Sequence, residues 1–339
     1  MIVIPPMEWP TRTTGPGPGT VASITALRSA PSWPMLPLPS ADRPDRPWSR
    51  WSQKTSRWSL RSRRWKCQQS WFSVYPWQKM IVSEHRLVFW DQRDHGRSGR
   101  SAEGSGSIGQ LGADLKAVID ATAPGAGPVV LVGHSMGGMT IMALADQYPE
   151  LFGTKVAGAV LISTAARGLE GGSPWMPAPL RPALARALPS VLNGAAKGRR
   201  AILVERGRRV SGDLAFLTTR LIGFVDGDVS PATVMFLEQM IRATPIEVVA
   251  RFGQALLNCD MRDSLATLGR VPVTVIVGEK DRLIAAPLGI ELATQIPGAQ
   301  LVWVPGAGHA LILECPELVN KAITDLLARV AAGGLPRSA

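Results

Sequence analysis

A serine set among small residues, Gly133-His134-Ser135-Met136-Gly137, carries the strongest chemical signal in this 339-residue chain. The Gly-x-Ser-x-Gly pattern stands directly after the apolar run Pro128-Val129-Val130-Leu131-Val132, and an apolar stretch with helical spacing opens at Met136. Strand, sharp turn and helix in that order are the setting in which the pattern marks a nucleophilic serine. The two glycines are expected to let strand and helix approach, because so tight a turn has no room for Cβ atoms beside the serine. An ordinary glycine-rich strand-to-helix turn is the competing reading.

A serine hydroxyl needs a base, and the base needs an acid to orient it. Only four histidines exist. His134 lies inside the turn, His85 precedes a predicted strand, and His95 sits in the loop Asp91-Gln92-Arg93-Asp94-His95-Gly96-Arg97-Ser98. His309 follows the predicted strand Gln300–Val304 in the loop Pro305-Gly306-Ala307-Gly308-His309. The C-terminal end of a strand is where open α/β sheets place their sites, so His309 is the candidate base rather than a polar surface residue. The β-branched run Val273–Val277 leads straight into Gly278-Glu279-Lys280-Asp281. Asp281 is the candidate acid and Glu279 the second choice; a helix N-cap ahead of Arg282 is the structural alternative for Asp281. The backbone N–H of Met136, at the start of a helix, is the candidate oxyanion donor, and a second donor is not identified.

Stepping from strand to strand, the chain alternates. A strand at Arg86–Trp90 precedes a helix over Ile108–Thr122, in which Leu111, Leu115, Val118 and Ile119 recur at helical spacing. The strand before Ser135 and its helix follow, then the continuous apolar run Val156–Ser163, of the kind buried on both faces of a parallel sheet. Val273–Val277, a helix near Pro287–Gln295, the strand Gln300–Val304 and a helix from Pro316 complete the pattern. Such alternation predicts an α/β fold, a mostly parallel sheet with helices on both faces. Between Ser163 and Val271 the character changes: proline and glycine cluster at residues 171–182, and helical patterns appear at Leu214–Val225 and Ala232–Met240. The expected organisation is a first core part at residues 81–165, a helical insertion at 166–265 and a second core part at 266–339. Three cysteines (Cys67, Cys259, Cys315) imply no disulfide framework, and no apolar run reaches the ~18 residues of a membrane span. No metal cluster or cofactor motif is expected, and a cytoplasmic location is the default for Met1-Ile2-Val3-Ile4-Pro5, which carries no secretory pattern.

From residue 82 to 331 the chain resembles the α/β-hydrolase family, in particular bacterial serine hydrolases with a helical cap. The matching residues are Asp91 to Ser98, Gly133-His134-Ser135-Met136-Gly137-Gly138, Gly278-Glu279-Lys280-Asp281 and Gly306-Ala307-Gly308-His309. The resemblance implies that the insertion is a cap after the sixth strand of the family fold, roofing the serine and shaping an acyl pocket. It implies an esterase or lipase-like hydrolase of small-molecule acyl esters with an apolar acyl side, acting through an acyl-enzyme. Thioesters, lactones, carbon–carbon bonds and perhydrolysis use the same residues, while the chemistries of relatives with an aspartate at the position of Ser135 are not expected. A catalytically impaired relic or a non-enzymatic binding protein is the alternative from a different class. Trp175, Phe216, Leu221, Phe224, Met235, Phe236 and Met240 either line an apolar channel or, preferred, pack cap on core. The basic run Arg199, Arg200, Arg206, Arg208 and Arg209 reads as a solvated face rather than an anionic headgroup site.

Residues 1–80 depart from this pattern. They hold eight of eleven tryptophans, twelve of twenty-eight prolines and twelve basic against three acidic residues, and so most of the net charge of +11. No period of two or 3.6 runs through Arg46–Ser52 or Trp58–Lys66. The resemblance requires three strands here, the third beside the strand that leads to Ser135 and ending in a His-Gly loop that supplies half of the oxyanion hole. No His-Gly pair precedes His95-Gly96. A nucleic-acid-binding arm, a transit peptide, a divergent N-terminal half and an out-of-frame translation of G/C-rich DNA compete, the last preferred; nucleic acid is not expected as a partner. If no strand forms, the edges of the two neighbouring strands stay unpaired; Trp71-Phe72-Ser73-Val74-Tyr75 is the best local candidate to fill the place.

Overall fold

The computed structural model describes residues 2–4, 85–96, 98–99, 101, 106–125, 127–168, 194, 212–225 and 229–333. Ile2–Ile4 (β1), Arg86–Val88 (β2), Val129–His134 (β3), Val156–Ile162 (β4), Val273–Gly278 (β5) and Gln300–Val304 (β6) form one sheet in the spatial order β2-β1-β3-β4-β5-β6. From β3 to β6 every pairing is parallel. Strands β3, β4 and β5 consist mainly of Val, Ile, Leu and small residues, β4 and β5 buried throughout and β3 up to His134, whereas the edge strand β6 (Gln-Leu-Val-Trp-Val) is largely exposed. Successive residues of such a strand face opposite sides of the sheet. Val129 and Leu131 accordingly pack with Leu111, Leu115, Met139 and Met142, while Val130 and Val132 pack with Leu311, Val319, Ile323 and Leu326.

The first of these layers comprises Ile108–Thr122 (α1) and Met136–Gln147 (α2). Helix α1 begins where the side chain of Ser107 accepts the N–H of Gln110 at 3.1 Å, an N-cap that satisfies one of the helix's orphan donors. Between β4 and β5 the chain forms Gly212–Gly223 (α3), Pro231–Ala243 (α4), Ile246–Leu257 (α5) and the short Leu265–Leu268 (α6). Helices Ala286–Gln295 (α7), Leu311–Glu314 (α8) and Pro316–Gly333 (α9) follow β5 and β6. Phe224 and Val234 of the insertion form a small core with Ala310, and α5 sends Val248 and Phe252 into the main core. Leu221 and Met240, expected to line a channel or to pack inward, are exposed. Trp175 and the run Arg199–Arg209 lie outside the described residues.

The loop after β2 is anchored rather than free. Arg93 forms a buried bidentate pair with Asp114 of α1, at 2.5 and 2.6 Å, and Gln92 Nε2 donates to Thr140 Oγ1 of α2 at 2.7 Å. Asp94, at φ 67°, accepts the Ser101 N–H at 2.6 Å and lies 3.4 Å from the Arg251 guanidinium of α5. The ring of His95 meets that of Phe252 at 5.3 Å. Thus the conspicuous Asp91–Ser98 segment fastens β2 to two core helices and to the insertion.

The place beside β3 is filled, but not by the segment expected. Trp71–Tyr75 lies outside the described residues, and Ile2–Ile4 occupies the gap between β2 and β3 instead. Both pairings are antiparallel: Ile2 stands opposite Val88 and Leu131, and Val3 opposite Leu87 and Val130. The neighbouring edges are therefore paired over this short length. Because β3 runs toward Ser135, the chain passing from Ile2 to Ile4 runs away from it. Backbone direction thus differs from that of a strand leading into the site.

Candidate active site

Ser135 adopts φ 52° and ψ −118° at the junction of β3 and α2. A non-glycine residue at positive φ is held there against its own preference by the surrounding structure. That hold is visible: the Ser135 N–H donates to the carbonyl of Ile162 at 2.9 Å, and the Ser135 carbonyl accepts Thr164 Oγ1 at 2.8 Å and the Gly138 N–H at 2.9 Å. The hydroxyl itself caps nothing. A Cβ on Gly133 would stand 2.4 Å from the Gly137 carbonyl oxygen, so this glycine permits the close approach of strand and helix. Gly137 does not share the role, since nothing among the described residues lies within 4 Å of a Cβ placed there; Gly138, packed on Thr164, does. Met136 is the first residue of α2, and the first N–H groups of a helix have no intrahelical acceptor.

His309 lies beside this turn, 7 % exposed. Its Nδ1 bonds Asp281 Oδ2 at 2.9 Å. The other oxygen, Oδ1, accepts the N–H groups of Leu283 and Ile284, each at 2.8 Å. Asp281 is not a helix N-cap, since the next helix begins at Ala286 with Ala285 as its N-cap; its Oδ1 caps a turn while its Oδ2 holds His309. Glu279, the second choice, turns elsewhere and accepts the Gly306 N–H at 2.8 Å. The backbones of the two loops are also joined, Lys280 N–H to the Ala307 carbonyl at 2.9 Å and Glu279 N–H to Val304 at 3.0 Å. No hydrogen bond joins Ser135 Oγ to His309; such bonds are often long before a substrate is bound.

Three further residues support the site in roles not expected from the sequence. Thr164, two residues past the end of β4 and 29 positions away, supports the serine turn. Glu314 accepts the Gly308 N–H through Oε2 at 2.9 Å. His134, considered only as a candidate base, bonds through Nε2 to the carbonyl of His309 at 2.8 Å, with the two rings 4.9 Å apart. Burial, and then the neighbouring His309 imidazole, push its pKa down to about 4. His95 is engaged with Arg93 and Phe252, away from Ser135. Burial raises the Cys259 thiol to about 11, which keeps it protonated and a poor nucleophile. Among the described residues no group of three His, Cys, Asp or Glu side chains is gathered as a metal site.

A family model described as the alpha/beta hydrolase family matches residues 70–322. The chain is 26 % identical to 3-oxoadipate enol-lactonase 2 of Acinetobacter baylyi over 257 residues, 75 % of this chain and 84 % of that protein. It is 28 % identical to a pimeloyl-[acyl-carrier protein] methyl ester esterase of Stenotrophomonas maltophilia over 223 residues, 64 % and 76 % of the two chains. Among solved structures, a thermophilic esterase from Thermogutta terrifontis superposes with a TM-score of 0.59 at 25 % identity, covering 76 % of this chain and 85 % of that one. With its parallel sheet, its helices on both faces and these likenesses, the chain belongs to the alpha/beta hydrolase family.

Proposed function

We propose that the chain is a serine hydrolase that cleaves small acyl esters with an apolar acyl side. The observation that carries this reading is His309, bonded to Asp281 at 2.9 Å and held beside a Ser135 kept at positive φ. Ser135 Oγ attacks the ester carbonyl carbon while His309 Nε2 takes the hydroxyl proton. Asp281 fixes the tautomer of His309 and stabilises the imidazolium. The tetrahedral oxyanion is met by the Met136 N–H. Collapse expels the alcohol, which leaves with the proton from His309, and an acyl-enzyme remains. Water then attacks the acyl carbon, gives its proton to His309 and releases the acid with Ser135 restored. Residues 166–265 act as the cap over this site, flanked by core parts at 81–165 and 266–339. One relative is named for an enol-lactone and another for a methyl ester, and a lactone is a cyclic ester, so the acyl-ester class is the common ground.

A second reading has its own support. Among the described residues, the strand β1 beside β3 is antiparallel to it and does not lead toward Ser135. Loss of one oxyanion donor costs about 10²–10³ in kcat, which favours a weakened or silent enzyme with its other site residues in place. Labelling the intact protein with a fluorophosphonate, and assaying p-nitrophenyl butyrate hydrolysis, separates the two readings. Labelling and hydrolysis that both disappear in Ser135→Ala, with turnover falling by about 10⁶, are expected of the hydrolase. A folded parent that neither labels nor turns over would favour the silent form. Ser135→Ala retaining a tenth of parental activity would overturn the serine assignment.

A further inference from the structure

The loop carrying His309 is gripped at three consecutive residues, each by a different element. The Gly308 N–H donates to Glu314 Oε2 of α8 at 2.9 Å. The Ala310 N–H donates to the carbonyl of Gly223, the last residue of α3, at 2.7 Å. Between them, the His309 carbonyl meets Nε2 of His134 at 2.8 Å. Only the third grip reaches the strand and turn that carry Ser135. Among the described residues, the Asp281 bond fixes the His309 ring against β5, and the His134 bond fixes the His309 backbone against β3.

We infer that His134 is a positioning residue: its Nε2–H ties the His309 backbone to the Ser135 turn, so that nucleophile and base keep their spacing as one piece. A carbonyl oxygen only accepts, so the nitrogen facing it carries the proton. Burial keeps the ring neutral, with Nδ1 unprotonated. Neutrality matters here, because the two imidazoles lie 4.9 Å apart. A cation at His134 would oppose the imidazolium that His309 forms during turnover. Without the donor, a nearly buried carbonyl would lose its partner and the loop would shift to find another. A displacement of about 1 Å at a reacting group costs on the order of a hundredfold in rate.

The inference rests on the hydrolase reading, and its test separates the two. The rate of fluorophosphonate labelling is measured on the full chain for the parent, Ser135→Ala and three substitutions at residue 134, with melting temperatures alongside. Gln presents an N–H at about the reach of Nε2, Met has similar length with no donor, and Phe keeps the ring packing with no donor. His134→Met and His134→Phe are expected to slow the limiting labelling rate by about ten- to a hundredfold, with half-saturating reagent unchanged. His134→Gln is expected to stay within about threefold of the parent. Either Met or Phe labelling at the parental rate, or Gln as slow as Met, would overturn the positioning role alone. Labelling that persists in Ser135→Ala would overturn the hydrolase reading, and this inference with it.

Discussion

The sheet is joined in two different ways on the two sides of β3. Toward β6 the strands are parallel and paired along most of their length, from Val129 beside Val156 to His134 beside Ile162, and onward through β5 to Gly278 beside Val304. On the other side, among the described residues, β3 pairs with Ile2 and Val3, running the opposite way, and β2 reaches the sheet through the same three-residue strand. The turns that carry Ser135, Thr164, Asp281 and His309 all leave the C-terminal ends of strands in the parallel half. The comparison teaches that Ser135 and Asp281 follow strands buried on both faces, while His309 reaches them from the more exposed β6 at the parallel edge. The half with little sequence pattern also has the least pairing, and no proposed catalytic side chain comes from it.

Substitutions can test that division. Asp281→Asn removes the charge from the acid at the end of β5 and is expected to lower kcat on p-nitrophenyl butyrate by about 10⁴. A loss under tenfold would mean that the parallel half does not hold the acid. Leu161 is fully buried in β4, and Leu161→Ala should destabilise the fold by about 2–5 kcal/mol in urea unfolding, as a large-to-small change in a packed core does. A smaller loss would place the core elsewhere. His134, at the border of the halves, is neutral when folded and has a pKa near 4 against 6.5 for the free side chain. The unfolded chain therefore binds the extra proton between these values, and stability is lost as pH falls through that window, by about 3 kcal/mol. His134→Gln should flatten that part of the stability–pH curve; an unchanged slope would contradict it. Val3→Pro deletes a backbone donor from β1 and is expected to cost about 1–3 kcal/mol. An unaltered melting temperature would show that the reversed strand adds nothing to the fold.

Much of the parallel half was legible because its signals are local. Helix α1 begins and ends where the spacing of Leu111, Leu115, Val118 and Ile119 places it, and β6 matches its predicted span. Asp281 and His309 were identified by following strand ends, and the structure joins them. Strand β2 is shorter than predicted, ending at Val88 rather than Trp90, because the chain turns into the anchored Arg93 loop. Helix α5 was missed although Val248 and Phe252 sit one helical turn apart and face the core. Ile2–Ile4 offered no such cue: three β-branched residues before two prolines are too few to show alternation. The supports from Thr164 and His134 join segments 29 and 175 positions apart, which no local spacing encodes, while that from Glu314 spans only the six residues back to Gly308.

The short reversed strand also sets how the native sheet comes apart. Opening β1 breaks the ladder on both of its sides at once, so that β2 loses its strand pairing and relies on anchors such as Arg93 to Asp114. Amide hydrogens of β2 should therefore exchange with solvent in step with those of Ile2–Ile4. Those of β4 and β5, buried between parallel neighbours, should wait for global unfolding. A seam runs through the sheet beside β3, and the residues proposed for chemistry lie on its slow-exchanging side.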